Sequence, residues 1–172
     1  MIYLGADHGG FDLKEKIKLW LTQNNYQWED LGNATLDGGD DYQEFAFKVA
    51  EKVAGEEKRF GNRQQVIGNR QQAVGNSWKE SPKGVLLCRS AAGMVIAANK
   101  VMGIRAAAAF DKESAEHSRK HNNSNILALS GDRLNDLEAF AILKVWLETE
   151  FSNLDRYVRR LKAIGEYENS SR

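Results

Sequence analysis

The sequence predicts an α/β protein in which a five-stranded parallel sheet lies between two layers of helices, and three observations lead there. Short apolar runs of strand length alternate with longer segments whose apolar residues recur at helical spacing, the pattern that βα units produce. The run Val85-Leu86-Leu87 is apolar without a break, as a strand buried on both faces requires. The first and third runs end in small residues, Gly9-Gly10 and Ser90-Ala91-Ala92-Gly93, which let a strand turn tightly into a helix.

Taken in order, Ile2 to Ala6 is the first strand and closes on Asp7-His8-Gly9-Gly10, after which Leu13, Ile17, Trp20 and Leu21 mark a helix. Tyr26 to Leu31 reads as the second strand, and Gly32 to Asp40, dense in Gly, Asn and Asp, as loop. Asp41 is a candidate cap for a helix carrying Phe45, Val49 and Val53. The third strand ends on Cys88, and its helix begins near Ala92. Ile104 to Ala109 makes a fourth strand; Asp111 then precedes a polar helix reaching about His121, with Asn122, Asn123 and Asn125 as its closing turn. Asn125 to Ser130 is the fifth strand. Leu134 to Thr149 is a helix with Leu137, Phe140, Ala141, Val145 and Trp146, and a last helix runs from about Asn153 to Tyr167. Trp20, Val145 and Trp146 read as core.

At 172 residues the chain fits one domain able to bury a core. Its one interruption is an insertion at about 56–82, where GNRQQVI, GNRQQAV and GNSWKES repeat with a period of seven from Gly61, Gly68 and Gly75. Three copies, one of them decayed, are too few for a solenoid. The segment reads as a duplicated surface extension, or as one whose Val66, Ile67, Ala73, Val74 and Trp78 pack on a neighbouring subunit. Because it enters the central strand at its N-terminal end, it is expected to lie away from the site and to matter little for chemistry. Lys plus Arg equals Asp plus Glu at 24 each, so no global field draws nucleic acid or an anionic membrane. The start of the chain carries no basic segment followed by an apolar one, and a single cysteine forms no internal disulfide, so a cytoplasmic location is expected.

The stretch Gly84 to Lys100 carries the strongest chemical signal. A strand that runs through small residues into a helix leaves N–H groups unpaired at the helix start, where an anion is favoured. Cys88 ends its strand beside that field, either as a small core residue or as a reactive sulfur. Asp7 is likewise open to two readings, a cap for the first helix or a functional carboxylate. His117 and His121 are four apart, yet no third ligand follows at useful spacing, so no metal site is assigned. Arg156 and Arg160 share one helix face, as a solvated basic surface would or as an anion site would. If the sheet is parallel, Asp7, His8, Cys88 and Asp132 all emerge at the C-terminal ends of its strands, where open sheets bind ligands.

Four patterns then stand together: Asp7-His8-Gly9-Gly10; the Cys88 turn with Ala97-Ala98-Asn99-Lys100; Ser118-Arg119-Lys120-His121-Asn122; and Gly131-Asp132-Arg133 followed by Arg156 and Arg160. In this order they resemble the ribose-5-phosphate isomerase B family, which also contains the subunits of galactose-6-phosphate isomerase. The resemblance implies a Rossmann-like αβα sandwich that interconverts aldose and ketose phosphates, ribose 5-phosphate by default, through an enediolate and without metal or organic cofactor. It implies Cys88 as the base, His121 with Asp7 in ring opening, and Asn122 as a contact to a sugar hydroxyl. Ser90 and the N–H groups through Ala91, Ala92 and Gly93 would hold the intermediate's oxygen. His8, Arg133, Arg156 and Arg160 would bind phosphate. Tyr42, Arg89 and Asn99 join the expected substrate contacts. It further implies a homodimer, or a dimer of dimers, that uses the C-terminal helix and completes each site across the interface.

The chain departs from the family's turn, in which the residues at Arg89 and Ala91 are usually glycine. A positive φ at either would cost of order 1 kcal/mol. Arg89 also sets a cation beside Cys88, where it meets substrate or narrows the pocket. The usual Tyr-Pro is here Tyr42-Gln43. A second reading follows, a non-catalytic homologue that binds a phosphosugar or partners an active subunit.

Overall fold

A computed structural model describes residues 1–67 and 81–170, with only the backbone for 60–67. Strands β1 (Ile2–Ala6), β2 (Trp28–Asp30), β3 (Lys83–Cys88), β4 (Ala106–Ala108) and β5 (Ile126–Ser130) form one sheet in the order β2-β1-β3-β5-β4. Every pairing is parallel. Helices α1 (Phe11–Gln23), α2 (Tyr42–Ile67), α3 (Ala92–Ala98), α4 (Lys112–Asn122), α5 (Asp136–Glu148) and α6 (Asp155–Ser170) complete the described chain.

Side chains of a strand alternate between the two faces of a sheet, and here each face has its own core. Leu4, Val85, Leu87, Leu127 and Leu129 meet Leu13 and Ile17 of α1 and Leu143 and Trp146 of α5. On the other face Tyr3, Leu86, Cys88, Ile126 and Ala128 meet Phe45 and Val49 of α2 and Met94 and Ala98 of α3. Each fully buried leucine contributes about 2 kcal/mol of transfer free energy. Trp146 is fully buried, while Trp20 and Val145 pack half-buried against the first core.

The outer strands are shorter than the sequence suggests. The Tyr26 N–H is used to close α1 on the Leu21 carbonyl, and the Ile104 N–H bonds Val101, so β2 and β4 shrink to Trp28–Asp30 and Ala106–Ala108. Helix starts follow local chemistry. Asp111 with Ser114, and Asn135 with Glu138, form reciprocal capping boxes, which moves the start of α5 past Leu134. Asn123 closes α4 at φ 46°, the left-handed stop that asparagine tolerates. The first copy of the repeat, Gly61 to Ile67, continues α2 although its glycine costs about 1 kcal/mol relative to alanine. Residues 68–80, with Ala73, Val74 and Trp78, lie outside the described residues, as do the side chains of Val66 and Ile67.

Because all strands run one way, Asp7, Cys88 and Gly131 gather at one end of the sheet. The helices that follow the strands carry the chain back to the other end.

Candidate active site

The strand end is fixed mainly by backbone. The Asp7 N–H donates to the Leu87 carbonyl at 3.3 Å, and the Gly131 N–H to the Cys88 carbonyl at 2.8 Å. The three strand ends therefore move as one block. Cβ on Gly131 would strike the Gly9 carbonyl, so the loop after β5 approaches the loop after β1 as closely as glycine allows. Cys88 is 5% exposed, and its sulfur accepts the Ala91 N–H at 3.1 Å. That bond is bought by strain, since Ala91 sits at φ 68°, where an L side chain pays about 1 kcal/mol. The expected penalty falls on Ala91 and not on Arg89, which keeps a negative φ.

Asp7, 7% exposed, accepts the Gly10 N–H on its carboxylate at 3.1 Å. The bond closes the Asp7–Gly10 turn and does not cap α1, whose cap position, Gly10, provides no side-chain capping bond. Burial pushes its pKa up, against the opposing pull of the Gly10 and Gly9 N–H groups and of His8. The Nδ1 of His8 lies 2.9 Å from Asp40 Oδ1. Arg89 runs exposed across Gly9 and ends 3.6 Å from Asp132 Oδ1. Arg133 covers the Phe110 ring at 5.5 Å. Tyr42 opens α2 with its ring flat against Gly93, where any Cβ would meet it at 2.8 Å. Ser90 and Ala92 are exposed and Ala91 is buried.

The other predicted residues stand elsewhere. His121 ends α4, whose eleven residues rise about 16 Å from the strand end. It stacks on Tyr157 at 4.6 Å and lies 4.8 Å from the ring of His117. Arg156 and Arg160 cover the same Tyr157 at 4.6 and 5.8 Å. Loss of hydration, with the charges of His117, Lys120 and Arg156, holds the His121 pKa below the ordinary histidine value. Asn122 and Asn99 line a cavity of about 380 Å³ with Ile104, Leu161 and Ile164. The Asn99 amide is spent on the backbone of Ala106, donating to its carbonyl at 3.0 Å and accepting its N–H at 2.8 Å. That double bond pins α3 to the start of β4, so Asn99 holds the fold where a substrate contact was expected.

One chain therefore carries two separate clusters. The first offers a sulfur, a carboxylate that retains its proton to higher pH than usual, and the unpaired N–H groups of the first turn of α3. Of the four amides expected to hold an oxyanion, that of Ala91 already serves the Cys88 sulfur. The second cluster offers an imidazole and two guanidinium groups on an aromatic platform. Among the described residues no group of three or more His, Cys, Asp or Glu is disposed to hold a metal ion, and no helix is long and apolar enough to cross a membrane. A cavity of about 760 Å³ around Met1, Tyr26, Lys83 and Glu148 touches neither cluster.

Two participants were missed in the sequence. Asp40 is hidden in a polar loop, where only its place in Gly38-Gly39-Asp40-Asp41 hints at a turn. Tyr157 was overlooked between the arginines, although its spacing from Arg160 puts both on one helix face.

A family model described as Ribose/Galactose Isomerase matches residues 2–80 and 67–164, two stretches that overlap within the repeat. The putative sugar phosphate isomerase YwlF of Bacillus subtilis is 34% identical over 170 residues, covering 99% of this chain and 98% of that protein. The structure of ribose-5-phosphate isomerase B from Mycoplasma genitalium with bound ribulose-5-phosphate superposes with a TM-score of 0.80 at 32% identity, covering 98% and 95% of the two chains. That of Clostridium thermocellum ribose-5-phosphate isomerase B gives 0.81 at 34% identity, covering 99% of both.

Proposed function

The chain belongs to the ribose/galactose isomerase family, and from that premise we propose that it interconverts ribose 5-phosphate and ribulose 5-phosphate through an enediolate. The observation that carries the reading is the strand end, where Cys88, with its sulfur oriented by the Ala91 N–H, shares one backbone-locked block with Asp7 and His8. In the open-chain aldose, the Cys88 thiolate removes the proton from carbon 2, and the electron pair moves onto the carbonyl oxygen of carbon 1. Ser90 and the N–H groups of Ala92 and Gly93 donate to the oxygen that becomes negative. Transfer of the carbon-2 hydroxyl proton to the oxygen on carbon 1, and return of the carbon proton from Cys88 to carbon 1 as the carbonyl forms at carbon 2, give the ketose. His8 and Arg133 bind the phosphate from the strand end.

Ring opening and the remaining phosphate contacts come from a second copy of the chain. His121 and Asn122 close α4, a helix length from its start, Arg156 and Arg160 gather with His121 around Tyr157, and Leu154 together with Val158, Ile164 and Tyr167 of α6 is exposed. Burying those side chains against a second copy would bring one protomer's helix-end cluster over the other's strand end. His121 then moves the proton between the ring oxygen and the anomeric hydroxyl, with Asp7 as the acidic partner. Ala91 at positive φ is the feature that speaks for the binding-only alternative, because a strained turn is easily misplaced.

Purified protein supplied with ribose 5-phosphate and no added metal is expected to form ribulose 5-phosphate. Cys88→Ala is expected to lower kcat by about 10³, within the range of a general base, while the phosphosugar still binds. Wild-type protein that binds several aldose phosphates and turns over none would establish the binding-only alternative.

A further inference from the structure

One carboxylate at the strand end has no part in the chemistry above. Asp40 Oδ1 accepts the backbone N–H of His8 at 2.9 Å and stands 2.9 Å from His8 Nδ1. Its Oδ2 accepts from the Asn33 amide at 3.2 Å. The Asp40 side chain is 7% exposed, against 31% for the imidazole it holds. Asn33 is tied down in turn, since its carbonyl accepts from Lys14 Nζ at 3.1 Å. Lys14, wholly buried, is paired with Asp30 at the end of β2. A continuous hydrogen-bonded path thus leads from a buried ion pair, through the loop between β2 and α2, to the ring of His8.

A carboxylate against Nδ1 keeps a proton on that nitrogen and turns Nε2 outward. A phosphate dianion accepts hydrogen bonds and donates none, so Nε2 must also carry a proton when it meets phosphate. Other charged groups at the strand end include Asp7 at the end of β1, the Arg89–Asp132 pair across Gly9, and Arg133 over the Phe110 ring. We propose that Asp40 is a positioning residue, which holds the His8 ring with its proton on Nδ1 and presents Nε2–H to the phosphate of the substrate. The proposal rests on the isomerase reading for the ligand, and on the Asp40–His8 geometry for the role.

The test compares wild type with Asp40→Ala and Asp40→Asn by ring-nitrogen NMR of His8 and by steady-state kinetics with ribose 5-phosphate. Wild type is expected to show the Nδ1–H signature and Asp40→Ala to lose it. Loss of one charge-assisted hydrogen bond should raise KM about tenfold in Asp40→Ala, with kcat within about threefold. Asp40→Asn, whose carbonyl oxygen accepts the same two N–H groups, should recover most of the lost affinity. An Asp40→Ala protein with the Nδ1–H signature intact, or with wild-type KM, overturns the proposal. If wild type turns over no aldose phosphate, the isomerase reading fails instead, and titration with inorganic phosphate decides the role of Asp40. Phosphate should then shift the His8 ring-nitrogen signals in wild type at about tenfold lower concentration than in Asp40→Ala, and equal binding curves would overturn the proposal.

Discussion

At the strand end, the candidate side chains are held by main chain. Cys88 and Asp7 each accept a backbone N–H, the three strand ends are bonded to one another, and Cys88 and Asp7 are nearly buried. At the helix end, they are held by one another's rings, with His121 and two arginines around Tyr157 on a surface that leaves Val158 and Ile164 exposed. The first arrangement is preorganised within one chain, as a reaction that develops charge at a fixed atom requires. The second is a cationic, partly apolar face shaped to meet something else. If the proposed shared site holds, each chain supplies one half of two sites.

Substitutions at the two ends should therefore fail differently. After Cys88→Ala and His121→Ala, the largest expected effect is at Arg156. In the proposed shared site Arg156→Ala takes one guanidinium away from the phosphate, so KM should rise between about tenfold and 100-fold with a smaller change in kcat. A loss confined to kcat would take Arg156 out of ground-state binding and blur the contrast.

The pH profile sharpens it. The lowered pKa of His121 means that its neutral form persists to lower pH than in an ordinary histidine. If neutral His121 starts ring opening, the acidic limb of kcat/KM should lie below the usual histidine value of 6.5. Removing the neighbouring charge in His117→Ala should move that limb upward. A limb that stays put would detach His121 from the rate.

The smallest expected effect is at Ala91. Glycine there relieves about 1 kcal/mol of left-handed strain and gives up a buried methyl group worth about 0.8 kcal/mol. Thermal unfolding of Ala91→Gly should therefore differ from wild type by a few degrees at most, with kcat/KM within about threefold. A large gain in turnover would mean that the turn, not the chemistry, limits the natural chain.

Much of this was legible in the sequence, for reasons that differ by residue. The Cys88 strand and its turn could be read because burial on both faces forces an unbroken apolar run, and a tight turn forces small residues. The helix after Asp111 could be read from its own polar pattern, whereas its capping box with Ser114 emerged only in the structure. Asp40 was not, because its loop is placed by Lys14, which sits in a helix as an ordinary surface lysine would and yet is wholly buried against Asp30. Asn99 misled for the same kind of reason. It stands in a motif beside the Cys88 turn, but its amide is committed to Ala106, across a distance the motif does not encode.

The central claim, that one chain's Cys88 works with another chain's His121, is tested most directly by mixing two inactive variants. Cys88→Ala and His121→Ala, each inactive alone, are co-expressed so that subunits pair at random. If the site is shared, half of the dimers are mixed and each mixed dimer keeps one intact site, so activity should return to about a quarter of wild type. If the mixture stays as inactive as its parents while mixed dimers are present, both residues serve the same chain's site and the shared-site account is wrong.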